Sequence, residues 1–280
     1  MELFGDLPRK ELPILPENTY GLSLVLHNGT ILMCGGRINP RQCLQLDLGT
    51  WKNHSTLGEE RYLSSAVTTT KATFLFGGTF SSTTYEYLPK ESTTWRKGKF
   101  EIPGGFYNGC AIAVKSEQEI WLIGGCGTGK RILSFNVNDH TFQELPFKLN
   151  AERIGHRCAF IPNTNKILIT GGTYKYYNLQ QIKNLNSTEI IDTKDGSVAM
   201  TSSPMNVHRA NHGMGVVTIN GQDRLAVFGG RYHDKGDELD CIELYNIKTE
   251  KWENAEIKLD KPKEMFGFLT IKLSYVISKL

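Results

Sequence analysis

Short apolar runs alternate with polar turns along the whole chain, and five of these runs end in two consecutive glycines. The second glycine of each doublet falls at position 36, 78, 125, 172 or 230, so the intervals are 42, 47, 47 and 58 residues. Glycine suits the end of a strand because it lacks a Cβ, adopts positive φ readily and lets a neighbouring backbone approach closely. A pattern that recurs at this interval predicts a repeat fold.

The residues around each doublet repeat as well. A second alternating run follows each doublet and a further apolar run precedes it, as 110–114 precedes 120–123. Period-two alternation bounded by turn residues is typical of strands, so each repeat predicts a four-stranded antiparallel sheet. The fourth strand carries an aromatic residue in four of the five copies, at Trp51, Trp95, Phe142 and Trp252.

These features resemble the kelch repeat, in which each unit forms one blade of a β-propeller. The resemblance covers nearly the whole chain and implies an all-β, closed propeller of six blades, because blades of roughly 50 residues divide the chain about six times. A sixth blade is expected to combine strands of residues 262–280 with strands of residues 1–15, which pairs edges that would otherwise be exposed. The five complete blades are expected at about 19–57, 58–102, 103–147, 148–204 and 205–260.

Composition and charge narrow the class of protein. The 32 basic and 29 acidic residues give a net charge of +3, which predicts neither nucleic-acid nor membrane binding. No apolar run approaches the roughly 18 residues that a membrane-spanning helix needs. The first residues have no basic stretch followed by an apolar core, so we expect a cytoplasmic protein if Met1 is native. A secreted protein is expected instead if a signal peptide has been removed.

The six cysteines leave the compartment open. Cys34 ends one strand and Cys43 begins the next, so the two are expected to face each other across a hairpin, and Cys110 and Cys126 stand in a similar relation. Bridges at these pairs indicate an oxidising compartment, whereas six free thiols indicate a cytosolic protein. Strand cysteines are also often simple buried apolar groups. Glycosylation sequons occur at Asn28, Asn53 and Asn186.

Two motifs that carry chemistry in other proteins are interpreted here as loops. Residues 124–130 have the glycines and lysine of a phosphate-binding loop, but Arg131 replaces the Ser or Thr that holds Mg²⁺ and a strand follows. His208 and His212 have the spacing of helical metal ligands, but they precede a strand. No catalytic triad or nucleophile elbow is recognisable. We therefore predict no enzymatic activity, no cofactor and no metal site.

Binding residues are expected in the loops that follow the doublets and in those that enter each blade, because rigid scaffolds carry binding groups on loops. In kelch propellers both sets of loops lie at one face around the central channel, and that face usually binds protein. Arg61, Arg153 and Arg209 repeat at the entry of three blades. Two interpretations stay open: each arginine braces its own loop through backbone carbonyls, or the three bind carboxylates of a partner.

The sequence therefore predicts a monomeric, non-catalytic protein-interaction module that captures a peptide or loop, acidic if arginines bind it. Tyrosine and arginine are the residue types enriched at binding hot spots. The predicted partner-binding residues are Arg37, Arg61, Lys130, Arg153, Tyr174, Tyr176, Tyr177, Arg209, Arg231 and Tyr232. Two alternatives remain. One is a secreted or surface propeller that binds an extracellular ligand such as a glycan, and the other is a substrate-recognition subunit of a ubiquitin ligase that acts through a separate partner.

Overall fold

The computed structural model describes residues 19–269, apart from 81, 176–181, 220 and 233–235. All regular secondary structure in this part of the chain is β-strand, and the strands form five four-stranded antiparallel sheets. The inner strands of neighbouring sheets contact each other in chain order. The predicted all-β propeller is confirmed, with five blades.

Blades 1 to 3 each consist of four strands that are consecutive in the chain. Blade 1 contains β1 (Ser23–His27), β2 (Thr30–Cys34), β3 (Gln42–Asp47) and β4 (Thr50–Thr56). Blade 2 contains β5 (Ser65–Thr68), β6 (Ala72–Phe76), β7 (Tyr85–Pro89) and β8 (Arg96–Lys97). Blade 3 contains β9 (Cys110–Val114), β10 (Glu119–Ile123), β11 (Ile132–Asn136) and β12 (Phe142–Glu144).

Blades 4 and 5 each carry an additional two-stranded ribbon in the loop after the glycine doublet. Blade 4 contains β13 (Arg157–Phe160), β14 (Lys166–Thr170), β17 (Thr188–Asp192) and β18 (Val198–Met200), with the ribbon β15 (Thr173–Lys175) and β16 (Ile182–Asn184). Blade 5 contains β19 (Gly213–Ile219), β20 (Gln222–Phe228), β23 (Cys241–Asn246) and β24 (Lys251–Lys258), with the ribbon β21 (Arg231–Tyr232) and β22 (Asp237–Glu238). No helix in the described residues is long and apolar enough to cross a membrane.

The core lies between the blades. The second strand of each blade is buried on both faces because its alternate residues point toward opposite neighbours. In β10, Ile120 and Leu122 pack against blade 2, whereas Trp121 and Ile123 pack against blade 4. This two-sided burial explains why these strands are continuous apolar runs in the sequence.

Each glycine doublet lets one blade contact the entry of the next. A Cβ at Gly77 would lie 1.7 Å from the carbonyl oxygen of Phe106, so no other residue fits there without displacing the backbone. The second glycine of every doublet donates its N–H to the entry residue of the following blade. These bonds join Gly36 to Arg61, Gly78 to Phe106, Gly125 to Arg153, Gly172 to Arg209 and Gly230 to Lys263, with N···O distances of 2.7–3.0 Å.

A closed ring of six backbone hydrogen bonds links the blade entries around the channel. All six residues have φ between 50° and 70°, the left-handed region, which turns their N–H and C=O groups along the ring. The bonds run from N–H to C=O from Leu63 to Gly21, Asn108 to Leu63, Gly155 to Asn108, Asn211 to Gly155, Met265 to Asn211 and Gly21 to Met265, at 2.7–2.9 Å. Five members open the five blades, and Met265 closes the ring.

The sixth blade is not matched among the described residues. Residues 1–15 and 270–280, which were expected to supply most of its strands, lie outside them, and 262–269 contain no assigned strand. The described part of this segment lies between blades 5 and 1. A Cβ at Gly213 would contact Phe266 and Phe268, and a Cβ at Gly267 would contact Leu24.

Candidate functional site

The loops that follow the doublets and the loops that enter the blades lie at one face, as expected. In each blade the residue after the doublet donates its N–H to a carbonyl of the entry loop of the same blade. The pairs are Arg37 and Tyr20, Thr79 and Tyr62, Cys126 and Tyr107, Thr173 and Ile154, and Arg231 and Ala210, at 2.7–3.0 Å. We call this end of the propeller the loop face.

Arg153 does not reach the surface of the loop face, because its side chain is fully buried. Its Nε donates to Glu189 Oε1 at 2.7 Å. Its Nη1 donates to the carbonyl oxygens of Gly171 at 2.8 Å and Ser187 at 2.9 Å. Glu189 also accepts the backbone N–H of Asn150 at 2.7 Å. One buried ion pair thus holds the entry loop, the glycine doublet and the third strand of blade 4 together.

The same arrangement recurs in blades 2 and 5. Arg61 pairs with Glu86 at 3.0 Å, and Arg209 pairs with Glu243 at 2.7 Å. Both arginines are fully buried and donate to the carbonyl oxygen of the first doublet glycine of their own blade at 2.7 Å. Burial lowers the pKa of Arg61, and the carboxylate of Glu86 opposes that change. These three Arg–Glu pairs are called the braces below.

The geometry supports the bracing interpretation of Arg61, Arg153 and Arg209, so these three are corrected from partner-binding to internal residues. A buried guanidinium whose donors meet a carboxylate and two carbonyls offers nothing to a partner. The glutamates that complete the braces received no role in the sequence analysis. A signal for them exists, because Glu86, Glu189 and Glu243 occupy matching positions in the same three repeats that carry the arginines.

The other predicted binding residues differ in their exposure and in their contacts within the protein. Arg231 is paired with Glu264 at 2.7 Å, and this hydrogen bond raises the pKa of Arg231. Tyr232 stacks on His208 with ring centroids 5.5 Å apart. Lys130 and Tyr174 are half-buried at the loop face. Tyr176 and Tyr177 lie outside the described residues.

Arg37 contrasts with the braces because its side chain is exposed. Its guanidinium carbon lies 5.9 Å from the ring centroids of both Tyr62 and Phe80. Tyr20 packs edge-on against Tyr62 at 5.8 Å. Tyr20 is 44% exposed, Phe80 47% and the adjacent Ile38 53%. We call Tyr20, Arg37, Ile38, Tyr62 and Phe80 the rim cluster.

The rim cluster has the composition of a binding surface. Within the described residues no carboxylate forms an ion pair with Arg37, so its charge is held only over aromatic rings. Arginine stacked on aromatic faces keeps its N–H donors available at the edge of the guanidinium. Ile38 and Phe80 were missed by the sequence analysis, since only the fold brings the loops of blades 1 and 2 together.

The two motifs interpreted as loops are confirmed as such. Thr128 is buried and donates to the carbonyl oxygen of Gly124, and β11 rather than a helix follows. His208 bonds to the carbonyl of Asn184, whereas His212 is fully buried and bonds to Thr170 at 2.8 Å. Burial lowers the pKa of His212 well below its usual value. The two imidazoles therefore serve different contacts.

One cysteine prediction is confirmed and the other is wrong. Cys34 and Cys43 form a disulfide across β2 and β3. Cys110 is bonded to Cys158 rather than to Cys126. The physical reason is that Cys110 begins the inner strand of blade 3 beside the inner strand of blade 4, whereas Cys126 lies beyond the doublet and pairs with Tyr107. Cys126 and Cys241 are free thiols.

Neither the comparison of the chain with protein-family models nor the comparison with curated protein sequences gives a match. The arrangement of residues at the loop face is therefore the basis for a function.

Proposed function

We propose that this chain is a six-bladed propeller of the kelch type that binds a peptide or loop of another protein, without catalysis. The closed ring of six hydrogen bonds supports the blade number, because Met265 occupies a sixth position equivalent to the five blade entries. The contact of Gly230 with Lys263 supports it too, since it repeats the bond that each earlier doublet makes to the next blade. Residues 1–15 and 262–280 would complete that blade.

The observation that carries the binding role is the exposed guanidinium of Arg37 above Tyr62 and Phe80. Exposed aromatic and arginine side chains grouped at one place are the usual anchors of protein interfaces. Three of the large hydrophobic side chains that are exposed in the described residues, those of Tyr20, Ile38 and Phe80, belong to this one cluster. The three brace arginines, by contrast, are buried and donate their hydrogen bonds within their own blades.

The charge of the cluster specifies the partner further. Among the described residues no carboxylate pairs with Arg37, whereas Arg231 is paired with Glu264 at 2.7 Å. A carboxylate next to an apolar or aromatic side chain matches Arg37 beside Ile38 and Phe80. The proposed ligand is therefore a short acidic segment with one apolar anchor, bound at the rim of the loop face between blades 1 and 2.

The test is selection of a displayed library of random peptides on the propeller, followed by affinity measurement on synthetic copies of the enriched peptides. We expect acidic peptides with an apolar anchor. Arg37→Ala should weaken their binding by about ten- to a hundredfold, as loss of a charge-assisted contact does. Phe80→Ser should weaken it as well. Neither variant should lower the melting temperature measurably, because both side chains are exposed.

The matched control is Arg224→Ala. Arg224 is a surface arginine of β20 paired with Glu253, at the end of the strand away from the doublet. It should leave peptide affinity unchanged. Enriched peptides that bind Arg37→Ala and wild type equally would place the binding surface elsewhere and remove the basis of the proposal.

The two disulfides favour an oxidising compartment as the setting of this function. A secreted or surface propeller that binds an extracellular ligand is the second candidate, and a cytosolic ubiquitin-ligase subunit is disfavoured for the same reason. Mass spectrometry of native protein alkylated without reductant distinguishes the oxidising compartment from the cytosol. Two alkylated cysteines, Cys126 and Cys241, are expected, whereas six would remove the support for an oxidising compartment.

A further inference from the structure

One position near the propeller axis departs from the pattern of the other blades. The residue two places after each member of the hydrogen-bonded ring begins an inner strand or its equivalent. Five of the six are small and the sixth is an arginine: Ser23, Ser65, Cys110, Arg157, Gly213 and Gly267. A single long cationic side chain thus occupies the space that five small residues leave open.

Arg157 lines a cavity of about 190 Å³ just inside the ring. This volume is well above the roughly 10–15 Å³ that admits one water molecule, so a small organic group fits. The lining comes from the inner strands of all five blades and from residues 265–268. Among the described lining residues Arg157 is the only charged one, and the others are apolar, glycine, serine or asparagine.

The guanidinium of Arg157 makes one hydrogen bond among the described residues. Its Nη1 donates to the carbonyl oxygen of His156 at 2.9 Å, and the described residues offer it no carboxylate. Arginine carries five N–H donors, so one described bond uses a single donor of the five. In the braces, by comparison, Arg153 meets a carboxylate and two carbonyls.

The surroundings of Arg157 disfavour its positive charge. Burial alone lowers the pKa of Arg157 to about 10, so the side chain stays cationic at neutral pH in a site that disfavours its charge. The neighbouring His156 and His212 are neutral there, because burial and the adjacent arginines lower their pKa values. Arg157 is half-buried, and a carboxylate bound beside it would offset the cost of placing its charge in the cavity.

We propose that the channel cavity at Arg157 is a binding site for a carboxylate. The planar fork of a guanidinium matches a carboxylate with two parallel hydrogen bonds. Asn108, whose amide donates to Asn211 at 3.0 Å, lines the same cavity and has a second N–H for the ligand. The carboxylate comes either from a small free molecule or from an Asp or Glu side chain that a partner inserts along the axis. The site is separate from the rim cluster, so it goes beyond the proposed function.

The experiment measures melting temperature against sodium acetate, with sodium chloride at equal ionic strength as the reference. A ligand that binds only the folded state raises the melting temperature by mass action. We expect a rise of about 3 °C for wild type at roughly tenfold excess over Kd, with a logarithmic increase at higher acetate concentration. Arg157→Met should abolish the rise, and in the absence of acetate it should melt close to wild type, because the Arg157 side chain is half-buried and makes one hydrogen bond among the described residues.

Two further variants keep the result interpretable. Arg224→Met, a surface control, and Arg37→Ala, in the rim cluster, should both retain the full response to acetate. Arg157→Lys keeps the charge but loses the fork, so acetate should bind it about tenfold more weakly. This variant decides the matter if Arg157→Met does not fold, and an affinity equal to wild type would then overturn the proposal.

The source of the carboxylate is decided by a second arm. Acidic peptides selected on the propeller are measured against wild type and Arg157→Met, with and without acetate. Competition by acetate and weaker binding to Arg157→Met assign the carboxylate to a partner side chain, whereas a response to acetate alone assigns it to a free molecule. If neither acetate nor any peptide distinguishes Arg157→Met from wild type, the proposal is wrong.

Discussion

Blades 3 and 4 place different chemistry at the same positions. Blade 4 enters with Arg153, which pairs with Glu189 on the third strand. Blade 3 has Phe106 at the equivalent entry position and Leu133 at the position of the glutamate, and both are buried in one apolar cluster. Either entry residue accepts the same backbone bond from the preceding doublet, from Gly125 in one case and Gly78 in the other.

The backbone geometry of the blade entry therefore does not depend on the ion pair. In each blade the entry residue and its partner on the third strand match: both are charged in blade 4 and both are apolar in blade 3. A charged residue opposite an apolar one would leave a buried charge unpaired. The exposed Arg37 and the cavity-lining Arg157 belong to neither type. Neither guanidinium is paired with a brace glutamate.

The largest expected effect is the loss of one half of a brace. Glu189→Ala leaves the Arg153 guanidinium buried without its carboxylate and should reduce the free energy of unfolding by about 3–5 kcal/mol. The measurement is chemical denaturation followed by tryptophan fluorescence. Glu253→Ala, which breaks the exposed ion pair with Arg224, is the matched control and should cost at most about 1 kcal/mol. Equal losses in the two variants would contradict the assigned role.

The next effect concerns the covalent link between the two compared blades. Replacing both Cys110 and Cys158 with Ala should destabilise the protein by about 2–4 kcal/mol, because the bridge closes a loop of 48 residues in the unfolded chain. The corresponding change at Cys34 and Cys43 should cost less, since those cysteines are 9 residues apart. Denaturation midpoints of the two double variants give the order, and the reverse order would refute it.

Replacing the ion pair of blade 4 by the apolar pair of blade 3 tests whether the two residues act as a unit. The double variant Arg153→Phe, Glu189→Leu should be more stable than Glu189→Ala by about 2 kcal/mol, because no unpaired charge remains in the core. The backbone N–H of Asn150 still loses its acceptor, so full wild-type stability is not expected. A double-mutant cycle with Arg153→Phe alone supplies the control, and additive losses would show that the two residues act independently.

The last expected effect is a pH dependence from a position that holds no titratable group in blade 3. Blade 4 has the buried His156 where blade 3 has Gly109, which is covered by the Phe106 ring. Burial and the adjacent arginines lower the pKa of His156 to about 3. The unfolded chain therefore binds the proton more readily, so this contribution to stability is complete above about pH 6.5 and decreases as the pH falls toward 3.

The slope assigned to His156 is at most about 1.4 kcal/mol per pH unit. His156→Gln should remove that part of the acid sensitivity and leave the parts that come from His27 and His212, whose pKa values are also lowered by burial. The measurement is the free energy of unfolding between pH 7 and pH 4. Identical slopes for wild type and His156→Gln would show that His156 does not titrate on unfolding.

The sequence by itself determined the repeat. The apolar runs, their alternation and the glycine doublets are local, and their physical cause is local as well: strand periodicity and the absence of a Cβ where backbones meet. The Cys34–Cys43 bridge, whose partners are 9 residues apart, followed from the same local pattern.

The contacts of the arginines depend on the tertiary structure. Arg153 and Glu189 are 36 residues apart in the chain, and Cys110 and Cys158 are 48 apart. Burial settles which arginine is a brace, and burial is a property of the packed blades rather than of any segment. Arg157 carries no signal in the sequence, because its role depends on five small residues in other blades that surround the axis. Contacts of this kind form when the strands of a blade pair and neighbouring blades pack, which brings together residues that are far apart in the sequence.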